Sequence, residues 1–76
     1  MKTIKAVINN VKNINEFNKA VQNFSYDVDI KSGRYIIDAK SLMGLYSIDL
    51  SNPVEIIVDD ENYDEVYKVV KDFVVA

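Results

Sequence analysis

Val28-Asp29-Ile30-Lys31-Ser32-Gly33-Arg34-Tyr35-Ile36-Ile37-Asp38-Ala39-Lys40-Ser41-Leu42-Met43-Gly44 is the stretch that decides the fold. Val28 and Ile30 alternate with Asp27, Asp29 and Lys31, a period-two pattern that buries one face of a strand. Ser32-Gly33 supplies a turn, because glycine tolerates positive φ. Tyr35, Ile37 and Ala39 then alternate with Ile36, Asp38 and Lys40, so a β-hairpin with a polar outer face is predicted. The pattern changes at Ser41. Ala39–Ser47 reads as the entry to a short helix that ends near Asp49, with Ser41 at its mouth.

Working back from the hairpin, Ile4, Ala6 and Ile8 alternate with Thr3, Lys5 and Val7, which predicts a first strand. Asn9-Asn10 breaks it. Asn13-Ile14-Asn15-Glu16 has capping-box spacing, with Asn13 as the expected N-cap. Ile14, Phe17, Ala20 and Val21 make the apolar stripe of a helix running to about Asn23.

Forward from the hairpin, Pro53 fits the first position of a strand in which Val54, Ile56 and Val58 point one way. Asn62-Tyr63-Asp64-Glu65 repeats the capping-box spacing, and Val66, Val69, Val70 and Phe73 form the expected inward stripe of a last helix. The order is β-α-β-β-α-β-α. Four strands with polar outer positions imply an α+β domain, one sheet face in water and three helices on the other.

Seventy-six residues make one domain, spanning 1–76. The chain has neither cysteine nor histidine, so disulfides, thiolate sites and zinc or copper centres are not expected. No apolar run approaches the ~20 residues of a membrane span, and the start lacks a signal-peptide core. A soluble, cytoplasmic protein is expected, without a membrane partner. A net charge of −3 with scattered basic residues argues against nucleic acid as a partner. Asp59–Glu65 holds five acids in seven residues but lacks the glycine and ligand series of a calcium loop, and reads as a solvated helix start. No Gly-rich phosphate loop and no nucleophile–base pair is present, so no cofactor and no enzymatic activity are expected.

The element order, together with Ala39-Lys40-Ser41-Leu42-Met43-Gly44, resembles the HPr family, the small phosphocarriers of the bacterial sugar phosphotransferase system. From Phe24 to Glu65 the resemblance needs no gap. It implies an HPr-like open-faced β-sandwich: a four-stranded antiparallel sheet with three helices on one face. The N-terminal third departs from the family. Phosphocarriers hold a histidine at the start of the first helix, followed by arginine and proline. Here the stretch is Asn9-Asn10-Val11-Lys12-Asn13-Ile14, and the histidine position falls on Asn10 or Asn13. An asparagine amide nitrogen is not nucleophilic, because its lone pair is delocalised into the carbonyl, so relay of phosphate through this loop is excluded by residue type.

The resemblance also implies a regulatory site at Ser41. The matching serine of many HPr proteins is phosphorylated by an HPr kinase, and the catabolite-repression HPr-like proteins keep it while lacking the active histidine. Ser41 as a plain N-cap is the other reading, and the two are compatible. A phosphate there adds about −1.5 to −2 charge at a helix start beside Lys40, with little refolding expected. Leu42, Met43 and Tyr46 match the partner-docking surface of the family, with core packing as the alternative; Leu45 and Ile48 are the better core candidates. Gly44 either admits a close approach or marks a bend. Partner binding is thus expected at Lys40, Leu42, Met43, Gly44 and Tyr46. An HPr kinase or a transcriptional regulator is the implied partner. The alternative is a degenerate HPr fold with an unrelated binding or self-association role; the oligomeric state and the regulated pathway stay open.

Overall fold

The computed structural model describes residues 1–75. The elements are β1 (Lys2–Ala6), α1 (Val11–Val21), β2 (Asp29–Ser32), β3 (Tyr35–Asp38), α2 (Leu42–Ser47), β4 (Val54–Val58) and α3 (Tyr63–Val70). Short 3-10 turns flank α3 at Asp60–Asn62 and Lys71–Phe73. The strands form one antiparallel sheet in the order β1-β4-β2-β3.

The register explains the alternation in the sequence. Ile4, Ile56, Ile30 and Ile37 lie in one row across all four strands on the inner face. The neighbouring outer rows are Thr3, Ile57, Asp29, Asp38 and Lys5, Glu55, Lys31, Ile36. The second alternates in charge over its first three members, and opposite charges facing across strands are favourable. The first sets Asp29 against Asp38, and burial together with the charges of Asp38 and Asp27 holds the Asp29 carboxyl above the usual range. At the hairpin tip Gly33 takes φ +60°, and the turn is the two-residue form with glycine in its first central position.

All three helices cover the inner face. Ile14, Phe17 and Val21 of α1, Leu45 of α2, and Val66 and Val70 of α3 are buried against the isoleucine row and the valines of β4. Phe17 meets Phe73 edge-to-face at 5.9 Å.

Several local expectations are corrected. The N-cap of α1 is Asn10, not Asn13. Asn10 is extended, its side chain accepts from the Asn13 N–H at 2.8 Å, and the helix begins at Val11. Asn13 therefore spends its backbone donor on the cap instead of serving as one. The helix also stops at Val21, short of Asn23, and α2 stops at Ser47, short of Asp49. The capping box at Asn62 does not form: the chain enters α3 through the 3-10 turn, with no side-chain bond from Asn62. Glu65 instead accepts the hydroxyl of Tyr26. Val69 is exposed, since Val66 and Val70, one turn apart, define the buried stripe. Tyr35 is exposed as well, at the end of the edge strand.

The Tyr26–Glu65 pair ties the segment after α1 to α3. Partial burial first, then the bond to Glu65 and its charge, push the Tyr26 hydroxyl up to about 12. The unfolded chain releases this proton near the ordinary value, so the folded state loses stability as pH rises between about 10 and 12. A tyrosinate absorbance titration should show one tyrosine ionising well above the others. In Glu65→Gln its midpoint should fall part of the way back, because the burial remains; an unmoved midpoint would exclude the pairing.

Candidate functional site

Ser41 lies at the mouth of α2 with extended backbone. Its side chain accepts from the Gly44 N–H at 3.1 Å, and its carbonyl accepts from the Leu45 N–H at 3.0 Å. The approach to it is a tight turn: the Ser41 N–H donates to the Asp38 carbonyl at 3.0 Å, and the Lys40 N–H donates to Asp38 Oδ1 at 2.9 Å. Ser41 is therefore a working N-cap, and its side chain is exposed.

Beside it, Leu42, Met43 and Tyr46 stand 40%, 85% and 49% exposed, while Leu45 is fully buried. The helix divides as its spacing requires: one residue anchors it and three apolar residues face outward. Ile48, half-buried, packs at the edge of the core. Gly44 sits where a Cβ would come within 3.2 Å of Ser41 Oγ and 3.4 Å of Ile37 Cδ1. Its smallness thus lets α2 close onto β3 and onto its own cap.

Lys40 is placed differently from a simple neighbour of Ser41. Its ammonium donates to the Phe24 carbonyl at 2.7 Å, anchoring the segment after α1. Its carbonyl is held from α1 and the residue that follows it: Asn18 Nδ2 donates at 3.0 Å and Gln22 Nε2 at 2.6 Å. Asn18 Nδ2 also reaches the Ala39 carbonyl at 3.2 Å. A second tie joins the helices further along, from the Tyr46 hydroxyl to Asn15 Oδ1 at 3.0 Å. Val11, 61% exposed, lies one turn before Asn15 on the same face of α1.

Asn15, Asn18, Gln22 and Val11 did not stand out in the sequence. The available signal was spacing: Val11 and Asn15, and then Asn18 and Gln22, are four apart, so each pair shares a helix face. Asn10 caps α1 and Asn13 is half-buried in its first turn. The acids of 59–65 do not converge; Asp60 pairs with the amino terminus at 3.1 Å, and among the described residues no cluster of potential ligands could hold a metal. Among the same residues no helix is long and apolar enough to cross a membrane.

No protein-family model and no curated protein sequence matches the chain. A solved structure does: HPr-C-His from Thermoanaerobacter tengcongensis, with a TM-score of 0.79 and 24% identity, over 95% of this chain and 89% of that one. The chain has the HPr fold. The open-faced arrangement that the resemblance implied is the observed one.

Proposed function

We propose that the chain is a non-enzymatic, HPr-like regulatory or interaction module that cannot carry phosphate on histidine. It acts through the Ser41 helix in a bacterial cytoplasm and is related to the sugar phosphotransferase system. The observation that carries this reading is the join of an exposed Ser41 to the outward Leu42, Met43 and Tyr46 on an HPr fold without histidine.

Asn10 is the better match to the phosphohistidine position, because it caps the first helix where phosphocarriers hold their histidine. Its amide cannot accept a phosphoryl group, so the first-helix surface is left to contact partners without exchanging phosphate. Leu42, Met43 and Tyr46 supply an apolar surface of the adaptable kind found at protein interfaces. A phosphate on Ser41 would place charge at the rim of that surface, switching partner choice by electrostatics while leaving the fold in place. Lys40 would first have to leave Phe24 to assist.

Incubation with an HPr kinase and ATP, followed by intact mass, tests the switch. One phosphate is expected on the wild type and none on Ser41→Ala. The variant should lose only about 1 kcal/mol, the worth of the cap, and stay folded. No added phosphate, or addition that survives in Ser41→Ala, would refute the role of this serine. With enzyme I and phosphoenolpyruvate, no acid-labile phosphate is expected.

A further inference from the structure

The two edges of the sheet are finished differently. Along β1 the free side is covered at its C-terminal end: the Val7 N–H donates to the Phe73 carbonyl at 2.8 Å, and the Val75 N–H donates to the Lys5 carbonyl at 3.0 Å. Along β3 it is open. The Ala39 N–H donates to the Val28 carbonyl at 2.8 Å, which fixes the phase of the hairpin ladder. Antiparallel pairs alternate between bonded and non-bonded, so Tyr35, Ile37 and Ala39 bond to β2 while the backbone of Ile36 points away from it. Among the described residues nothing outside the hairpin bonds to Ile36. Its side chain is 59% exposed, and that of Tyr35 is 65% exposed. Of the usual protections of an edge strand, Tyr-Ile-Ile-Asp has no lysine, proline or bulge; it has only its shortness and the charge of Asp38.

The residues around Ile36 are complementary to their own reverse. In an antiparallel pairing of two β3 strands centred on Ile36, Ile36 faces Ile36, Tyr35 faces Ile37, and Arg34 faces Asp38 on both sides. Arg34 and Asp38 are exposed, and among the described residues the Arg34 guanidinium has no ion-pair partner. The outer face of the junction would hold an isoleucine pair between two Arg–Asp pairs. The inner face would cover each exposed Tyr35 with the half-buried Ile37 of the second copy. We propose that β3 is a self-association edge: two copies of this chain join through Ile36, with Arg34 and Asp38 setting the register, into one continuous eight-stranded sheet.

Asp38 belongs to the turn before Ser41, but Ile36 and Arg34 bond to neither Ser41 nor Lys40, so Ile36→Lys and R34D test the edge without touching the Ser41 reading. Sedimentation equilibrium from micromolar to millimolar protein should show the mass rising from 8.7 kDa toward twice that value. Ile36→Lys sets two ammonium groups against each other on the axis and should weaken association roughly tenfold or more, a penalty of one decade per 1.4 kcal/mol. Its side chain is exposed, so the fold should survive, as circular dichroism would verify.

Charge reversal fixes the register. R34D alone and D38R alone should each weaken the dimer, whereas a mixture of the two should form a heterodimer in which every facing pair is again opposite. D38R also removes the acceptor of the Lys40 N–H, so Ile36→Lys and R34D decide the matter if it fails to fold. A chain that stays monomeric at millimolar concentration, or a dimer indifferent to Ile36→Lys, would overturn the proposal. A mixture no more associated than its components would overturn the register.

Discussion

Phe17→Ala is expected to remove about 4 kcal/mol of stability, the usual cost of emptying a buried phenylalanine site. Phe17 is fully buried on the middle turn of α1 and meets Phe73 edge-to-face across the helix layer. A 76-residue chain buries only about 60% of its unfolded surface, so no second core takes up the loss. Total stability for this length is of the order of 4–11 kcal/mol. The variant should therefore sit near the edge of folding, with a melting temperature roughly 15–30 °C lower. Urea unfolding should show a lower midpoint with an unchanged slope. A loss below about 1.5 kcal/mol, the level of a conservative core change, would mean that α1 and the turn after α3 do not pack as described. Phe73→Leu should cost less, because Phe73 is only half-buried.

The sheet was legible in the sequence because strand burial has a period of two and every buried inner position is apolar. Ile4, Ile30, Ile37 and Ile56 could be assigned inward one strand at a time, although their alignment in a single row needed the register. Helix starts were less legible. Asn10 and Asn13 both precede apolar-periodic residues, and Asn13-x-x-Glu16 carries the stronger local signature. Asn10 prevails because capping from there adds three residues to the helix and satisfies the Asn13 N–H. At Asn62 the same signature failed for a long-range reason: Glu65 is drawn to Tyr26, 39 residues away in the chain, which spacing alone cannot show. The Ser41 helix was legible as a cap and a divided face. What holds it was not, because its partners come from α1.

That support makes the second large effect. Asn18→Ala should cost about 2 kcal/mol, since two hydrogen bonds worth roughly 1 kcal/mol each disappear and the Ala39 carbonyl loses its donor. The acceptors of the two bonds are the carbonyls of Ala39 and Lys40, immediately before Ser41, so the loss falls where the chain turns into α2. Gln22 still reaches the Lys40 carbonyl, but its side chain is exposed and cannot replace the contact to Ala39. Asn18→Asp separates hydrogen bonding from packing. It keeps the shape, yet an ionised carboxylate has no donor and meets two carbonyl oxygens. It should be at least as destabilising as alanine at neutral pH and recover part of the loss once protonated below about pH 4. Amide exchange at Gly44 and Leu45 should quicken more than exchange in β4, because the turn and α2 loosen before the sheet opens. Equal acceleration throughout would show that Asn18 supports the whole domain and not the Ser41 helix. A neutral Asn18→Asp would show that its two bonds carry no weight.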